Sequence, residues 1–357
     1  MAKALFIAST ESLAGKTVVA LGLALKAMEE GLKACYMKPI GIADTMVEGK
    51  LTDGDVVLMK KVLGLPHPYE ILCPVVVDEH FIEKLLKLGE RGKEEIFKAY
   101  SQAEKDYDLV LLGGFKSVET GLVAGLSAPE IAKRTGAKIL LTVKVTTEEF
   151  VDEILLKRKF IEGMGAKLQG VALTFVPYHL RYHVQEDIVP LLEKAGVKVY
   201  GLIQEVPALL NPTIREIVTS LNGEVLTAPD KIDNTYETIL IGAMGCESAL
   251  IYARRIANKL AIVGGDRTDL LLSVLETPTA AIVLTGGIHP GSKVIAKAEE
   301  KGVPLILVNY DTYTTVQMIN RLSGRIKPED TKRIGIAKEL VAKNIDCKAV
   351  FEDLSRD

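Results

Sequence analysis

Tryptophan is absent from this 357-residue sequence, and no two of its four cysteines form a C-x-x-C pair. The wide cysteine spacing gives no sign of a zinc knuckle or a disulfide framework, so we expect small buried thiols. The cysteines are Cys35, Cys73, Cys246 and Cys347. Glutamine and asparagine are scarce whereas lysine and glutamate are abundant, a bias typical of a thermophile.

Long hydrophobic runs are also missing. No stretch approaches the roughly 18–20 apolar residues that cross a bilayer, and the short apolar run at residues 4–8 has no signal-peptide cleavage site after it. The formal net charge is only −3, and acidic and basic residues are interspersed, which argues against a nucleic-acid binder. We therefore expect a cytoplasmic protein that binds neither nucleic acid nor membrane.

The length exceeds what one hydrophobic core usually supports, which favours two domains. From residue 4 to residue 201, short apolar runs alternate with longer helical patterns, as in an α/β protein with a parallel sheet. The expected strands are Ala4–Ala8, Lys33–Met37, Leu109–Leu112, Lys138–Val145, Leu168–Thr174 and Val197–Leu202.

A second, smaller α/β pattern follows. Its expected strands are Thr238–Ile241, Leu260–Val263, Ala280–Leu284 and Leu305–Val308. Its expected helices are Glu247–Asn258, Asp269–Leu275, Ser292–Lys301, Thr314–Leu322 and Pro328–Lys343. We predict one domain over residues 1–210 and a second, with the C-terminal helix, over residues 211–357.

The segment Ser9–Thr17, between the first strand and the first helix, carries the main functional motif, Gly15-Lys16-Thr17. Free N–H groups and the positive end of a helix attract phosphate at such a position. Lys16 would bind the β- and γ-phosphates, and the Thr17 hydroxyl would ligate Mg²⁺. The further expected phosphate contacts are Thr10, Ser12, Ala14 and Gly15. Thr10 departs from the pattern G-x-x-x-x-G-K-[ST], and the alternative is a helix start without a ligand.

Together with Lys38-Pro39 and Asp53-Gly54-Asp55, this loop resembles the N-terminal part of dethiobiotin synthetase, whose loop reads G-T-D-T-E-V-G-K-T. The resemblance implies that Lys38 helps to hold phosphates and substrate, and that Asp53 or Asp55 helps to hold the metal ion. The alternatives are a solvated lysine at a strand end and a helix N-cap at Asp53.

Departures from that family reduce the expected catalysis. Gly113 stands where the synthetase has an acidic metal ligand, and Leu13 replaces the glutamate of the loop. Thr174 stands where relatives often place an asparagine that reads the adenine base, and Glu119 is a weak candidate for a replacement metal ligand. Phosphate binding is therefore expected to be better preserved than catalysis.

The second half resembles the DRTGG domain through Asp266-Arg267 and Thr285-Gly286-Gly287. These residues, and Asp311-Thr312, follow predicted strands, where an anionic ligand could meet Arg267 and free backbone amides. The alternative is a pairing of Asp266 with Arg267 that only braces the fold.

A P-loop domain followed by a DRTGG domain is similar to the N-terminal region of long phosphate acetyltransferases and to stand-alone phosphotransacetylase N-terminal-like proteins. The resemblance implies a Mg-ATP-binding regulatory or sensor protein with weak or no catalysis, as a homodimer. One alternative is an ATP-dependent carboxylate or carbamate ligase that uses Lys16 and Lys38 in catalysis. The other is a structural partner that has lost nucleotide binding.

Overall fold

The computed structural model describes residues 2–78, 80–322 and 324–355, and the chain divides into two α/β units. The first unit consists of Met1–Glu205 and Ile326–Asp357, and the second of Val206–Arg325. The α/β class expected from the sequence is confirmed. The boundary differs from the expected one, because the segment after Arg325 belongs to the first unit and not to the second domain.

The first unit is built on a six-stranded parallel sheet. Its central strand is almost continuously apolar and buried, as expected when helices cover both faces of a parallel sheet. The strands of this unit are β1 Lys3–Ser9, β2 Ala34–Met37, β3 Ile40–Ile42, β4 Thr45–Val47, β5 Lys50–Thr52, β6 Val75–Val77, β7 Leu109–Gly113, β8 Lys138–Lys144, β9 Lys167–Val176 and β10 Val199–Gln204. The order in the main sheet is β10-β9-β8-β1-β7-β2, and β3 pairs with β6 and β4 with β5 in small separate ladders.

Capping residues define several helices of the first unit. Asp53 caps one helix, which ends at the left-handed Gly64, and Ser127 forms a capping box with Glu130 at the start of another. The helices are α1 Lys16–Glu29, α2 Gly54–Leu63, α3 Tyr69–Leu72, α4 Phe81–Ala103, α5 Ala128–Thr135, α6 Phe150–Gly163, α7 Arg181–His183 and α8 Val189–Lys194. Helix α4 is interrupted at Gly89, and a π-helical turn, Val184–Ile188, joins α7 to α8.

The second unit has a smaller sheet in the order β11-β15-β14-β13-β12, in which β11 alone runs antiparallel. Its elements are α9 Pro207–Leu210, α10 Ile214–Leu221, β11 Glu224–Val225, β12 Thr238–Ile241, α11 Cys246–Arg255, β13 Lys259–Gly264, α12 Thr268–Leu275, β14 Thr279–Thr285, α13 Ser292–Lys301, β15 Leu305–Leu307 and α14 Thr312–Asn320. Helix α10 begins with a capping box formed by Thr213 and Glu216.

The C-terminal segment, with α15 Thr331–Asn344 and α16 Cys347–Asp353, completes the first unit. Helix α15 packs against α1 so closely that a Cβ atom on Gly22 would lie 2.3 Å from the Cβ atom of Val341. A salt bridge of 2.6 Å joins Lys338 to Glu29 across the same contact. The helix that begins at the Gly15-Lys16-Thr17 motif is thus held along its length by the last part of the chain.

Three of the cysteines, Cys35, Cys73 and Cys347, are buried, Cys246 is partly exposed, and all four are free thiols. None of the helices in the described part of the chain is both long and apolar enough to cross a membrane.

The contact between α1 and α15 leads to a prediction about stability. Gly22→Ala should lower the free energy of unfolding of the first unit by about 1–3 kcal/mol, because the new methyl group overlaps Val341. Gly335→Ala is the matched control: nothing lies within 4 Å of its added Cβ, so this helix-interior change should stabilise by up to about 1 kcal/mol. Denaturant unfolding of both variants measures the difference.

A double-mutant cycle identifies the cause. If the overlap with Val341 is responsible, Val341→Ala should recover part of the loss in the Gly22→Ala background. Additive effects of the two substitutions would contradict the packing explanation.

Candidate functional site

The loop between β1 and α1 presents the first turn of α1 at the carboxyl edge of the main sheet. Gly15 lies directly before the helix with a φ of 79°, in the left-handed region that favours glycine. In the described chain no side chain caps α1, and its first turn contains no acidic residue. The N–H groups of this turn are therefore available to an anionic ligand, as the motif predicts.

Lys16 folds back across the loop. Its ammonium group donates hydrogen bonds of 2.7 Å to the Ser9 hydroxyl and of 2.7 Å to the Lys116 carbonyl oxygen. Burial, and next the positive charge of Lys38, lower the pKa of Lys16 to about 8. The cation is thus poorly solvated and lies at the loop, where a phosphate group would replace its present partners.

Of the other loop residues, some are buried and some are exposed to solvent. Thr10 is buried and its N–H donates to the Thr142 carbonyl oxygen at 3.2 Å, while Ala14 is buried as well. Ser12 and Leu13 are exposed. Any ligand contact from Thr10 or Ala14 would therefore come from the backbone, whereas the hydroxyl of Ser12 is accessible.

Thr174 supports this loop from β9. Its buried hydroxyl donates to the Ala14 carbonyl oxygen at 3.2 Å and also lies 3.1 Å from the Val143 carbonyl oxygen. A side chain enclosed in this way positions the loop and is not free to contact a base. In relatives of dethiobiotin synthetase, the corresponding asparagine has that role.

Thr17, Asp55 and Lys38 form a connected polar network beside the loop. The Thr17 hydroxyl donates to Oδ1 of Asp55 at 3.0 Å, and Oδ2 of Asp55 lies 2.6 Å from the Lys38 ammonium group. Adjacent ligands of an octahedral Mg²⁺ ion lie about 3.0 Å apart, given Mg–O bonds of about 2.1 Å. The spacing and the oxygen donors of Thr17 and Asp55 therefore fit a magnesium ion.

Asp53 is occupied by contacts within the protein. Its Oδ1 accepts the N–H of Asp55 at 2.9 Å, its Oδ2 accepts the N–H of Ile42 at 2.7 Å, and both oxygens lie within about 3 Å of the Lys38 ammonium group. The side chain is also almost fully buried. Of the two carboxylates that the sequence offers to a metal ion, Asp55 is thus the better placed, and Asp53 caps α2 and holds Lys38.

Charge pairing decides the protonation of this network. Burial alone would lower the pKa of Lys38, but the carboxylates of Asp55 and Asp53 outweigh it and raise the pKa well above its usual value. Burial raises the pKa of Asp53. Burial acts in the same direction at Asp55, but Lys38, Thr17 and Lys16 together outweigh it and lower the pKa there. Lys38 is therefore a charged lysine in a buried ion pair and not the solvated residue of the alternative interpretation.

Gly113 ends β7 without a side chain, and the space beside it is filled from the neighbouring strand. A Cβ atom on Gly113 would lie 2.1 Å from the hydroxyl oxygen of Tyr36. Glu119, the weak candidate for a replacement ligand, forms a 2.9 Å salt bridge with Lys157 instead. The sequence analysis did not identify Tyr36, since its place depends on how β2 and β7 pair.

The motif residues of the second unit follow neighbouring parallel strands, β13, β14 and β15. The Arg267 guanidinium donates hydrogen bonds to the carbonyl oxygens of Gly242 and Met244, the latter at 2.7 Å. Asp266 is exposed, so it does not form the buried pair with Arg267 that the alternative interpretation expected. Arg267 instead ties the loop after β12 to the loop after β13.

The glycine turn is also held by internal hydrogen bonds. The N–H of Gly286 donates to the Tyr310 carbonyl oxygen at 2.8 Å, and that of Gly287 to the Val308 carbonyl oxygen at 2.9 Å. The hydroxyl groups of Thr285 and Thr312 lie 2.9 Å apart. The two amides expected to meet an anion are thus already bonded within the protein, and a pair of hydroxyl groups lies beside them.

His179 and His183 lie four residues apart in the sequence, a spacing at which two side chains share one face of a helix. The ring of His183 lies between Oδ2 of Asp187, at 2.7 Å from Nδ1, and Oε1 of Glu148, at 2.8 Å from Nε2. His179 lies in a 3₁₀ turn, Tyr178–Leu180. Within residues 2–78, 80–322 and 324–355, no group of three or more His, Cys, Asp or Glu residues could hold a metal ion.

Comparison with known families agrees with the two-part organisation. A family model described as an AAA domain matches residues 3–213, and one described as a DRTGG domain matches residues 216–322. The DRTGG resemblance drawn from the sequence is confirmed, whereas the likeness to dethiobiotin synthetase stays a prediction.

Similar sequences include two enzymes named phosphate acetyltransferase. The chain is 27% identical over 376 residues to that of Nitratidesulfovibrio vulgaris, covering 97% of this chain and 51% of the relative. It is 25% identical over 364 residues to that of Pseudomonas putida, covering 96% of this chain and 50% of the relative. The likeness to phosphate acetyltransferases is thus confirmed, and the chain spans about half the length of these relatives.

Among solved structures, a putative plasmid partition protein from Borrelia burgdorferi bound to AMPPNP has a TM-score of 0.40 and 14% sequence identity. The match covers 58% of this chain and 89% of that protein. A likeness at this level carries no argument about ligands.

The contacts of Arg267 give a prediction that separates a brace from a ligand-binding residue. Arg267→Ala should destabilise the second unit by about 1–3 kcal/mol, because two charge-assisted hydrogen bonds to carbonyl groups are lost. Hydrogen exchange of the β12 and β13 amides measures this. Arg254→Ala, at an exposed position on α11, is the control and should change stability by less than about 0.5 kcal/mol. Unchanged exchange in Arg267→Ala would contradict the bracing role and would favour Arg267 as a ligand-binding residue.

Proposed function

Because the chain belongs to the AAA domain family over residues 3–213 and carries a DRTGG domain after it, we propose that it is a Mg-ATP-binding regulatory or sensor protein with weak or no catalysis. The observation that carries this proposal is the uncapped start of α1 with Lys16 beside it and the Thr17–Asp55–Lys38 network next to the loop. Such a set combines donors for phosphate with oxygen ligands for a cation.

Each residue of the site has a distinct proposed part in binding. The N–H groups of the first turn of α1 and the Lys16 ammonium hold the β- and γ-phosphates. The Thr17 hydroxyl and the Asp55 carboxylate hold Mg²⁺, which neutralises phosphate charge when bound. Lys38, kept charged by Asp53 and Asp55, offers an ammonium group to the phosphates.

Weak catalysis follows from what surrounds these groups. Gly113 supplies no carboxylate, and Glu119 is paired with Lys157. Lys38 is held between two carboxylates, which limits its ability to position an acceptor for phosphoryl transfer. The rival function, an ATP-dependent carboxylate or carbamate ligase, needs an acidic metal ligand at position 113 and a Lys38 that can position the acceptor. The ligase is therefore less favoured.

A regulatory role in acetyl-phosphate or related metabolism is proposed from the likeness to phosphate acetyltransferases. The second unit would then bind an anionic metabolite near the hydroxyl pair of Thr285 and Thr312. This role and the homodimer stay predictions, which metabolite titration and light scattering would check.

Substitution of Lys16 tests the proposed nucleotide site. Lys16→Ala should abolish measurable binding of Mg-ATP in calorimetric titration while the fold is retained, because the side chain contacts the loop and lies outside the hydrophobic core. Lys26→Ala on the same helix removes a partly exposed lysine that pairs with Glu29, and this variant should bind as the wild type does. Equal ATP affinity in Lys16→Ala and the wild type would reject the P-loop interpretation.

The same ammonium group gives this prediction a pH dependence. Phosphate prefers the charged form of Lys16, whose pKa before binding is about 8. Nucleotide affinity should therefore be highest below pH 8 and fall as the pH rises from 8 to 9.5, by up to about tenfold per pH unit. A flat profile over this range would show that Lys16 is not the titrating phosphate ligand.

Turnover distinguishes the regulatory protein from the ligase. Since no carboxylate stands at position 113, ATP hydrolysis should be far below the ~1–100 s⁻¹ of kinases. Phosphate release by the purified chain measures this, with Lys16→Ala as the control for contaminating activity. Turnover within the kinase range that is lost in Lys16→Ala would favour the ligase.

A further inference from the structure

Tyr36 is buried beside the candidate site, although the chemistry proposed above does not use it. Strand β2 places it opposite Leu111 of β7, and only 2% of its surface is exposed. Its hydroxyl lies beside the last residue of β7, in the place that a side chain on residue 113 would occupy, 2.1 Å from the position of that Cβ atom. The phenol thus replaces any side chain at position 113.

Within the described ranges the hydroxyl makes no hydrogen bond to another protein group, and its oxygen is not among the fully buried polar atoms that lack a partner, so it reaches the surface of the site. A hydroxyl at such a surface bonds to water or to a bound ligand. The Tyr36 hydroxyl lies at the carboxyl edge of the sheet, where open α/β sheets bind their ligands. A ligand atom is therefore a natural acceptor for this proton.

The surroundings of Tyr36 favour the neutral phenol, which donates a hydrogen bond, over the phenolate anion. Burial, with smaller effects from the charges of Lys38, Asp55 and Asp53, raises the pKa of Tyr36 well above its usual value, so the phenol keeps its proton at neutral pH. A carboxylate at this place would ligate a metal ion and repel phosphate, whereas a neutral hydroxyl can donate to a phosphate oxygen.

We propose that the Tyr36 hydroxyl donates a hydrogen bond to the terminal phosphate of a bound nucleoside triphosphate, and so makes the site select triphosphate over diphosphate. The inference rests on the proposed nucleotide-binding function and adds a specificity-determining residue to it. Tyr36 precedes Lys38 by two residues, and the charges of Lys38 and Asp55 act on its hydroxyl, so the proposal directs the terminal phosphate to this part of the site.

The test compares two nucleotides in two tyrosine variants. A non-hydrolysable ATP analogue and ADP, each with Mg²⁺, are titrated into the wild type, Tyr36→Phe and Tyr100→Phe. Tyr36→Phe should lose about tenfold in affinity for the triphosphate, as expected for one hydrogen bond to a charged group, with less than about twofold change for ADP. Tyr100→Phe removes another buried hydroxyl, which bonds to the Thr135 carbonyl oxygen, and should leave both affinities unchanged.

Gly113→Ala provides a second, independent variant. Its methyl group must displace the Tyr36 hydroxyl, so the same selective loss of triphosphate affinity is expected. This variant decides the matter if Tyr36→Phe does not fold, which a thermal melt would show.

The outcomes separate this inference from the proposed function. Triphosphate affinity that is unchanged in Tyr36→Phe, or an equal loss for both nucleotides, overturns the role of Tyr36 while nucleotide binding by the wild type stands. If the wild type binds neither nucleotide, the proposed function fails, and the inference that rests on it fails as well.

Discussion

The buried Lys38 ammonium between Asp53 and Asp55 connects the parts of the chain that form the candidate site. Lys38 follows β2, both aspartates lie at the start of α2, and Asp55 also accepts the Thr17 hydroxyl at the start of α1. Removing one partner of a buried ion pair leaves an uncompensated charge, at a cost of about 3–5 kcal/mol. The ends of these three elements are therefore fixed relative to one another before any ligand binds.

This constraint also determines what the site offers to a ligand. Two carboxylates face one ammonium in the network, so a net negative charge remains beside Thr17, where a cation is favoured. Lys16 lies on the loop side and supplies positive charge to an anion. A metal ion and a phosphate group would thus each meet complementary charge in a preformed arrangement, which reduces the entropy cost of binding.

The sequence predicted the regular elements well because their patterns are local. Strand Thr238–Ile241 and helix Ser292–Lys301 have the predicted bounds, and the motif Gly15-Lys16-Thr17 lies at the start of α1. The capping box of Thr213 and Glu216 was readable as T-x-x-E but was missed. Contacts between distant segments could not be predicted from the sequence. No local pattern shows that Tyr36 contacts the place of a side chain at Gly113, or which of Asp53 and Asp55 faces Thr17.

The return of the C-terminal segment is the long-range feature with the widest consequence. An amphipathic pattern predicts that α15 has an apolar face but not that α1 covers it, so the sequence placed this helix with the neighbouring second domain. In the structure the second unit is an insertion between β10 and α15 of the first unit. A fragment of residues 211–357 would therefore carry α15 without α1 and expose Val341, and separating the two units requires a cut at both junctions, near Val206 and near Arg325.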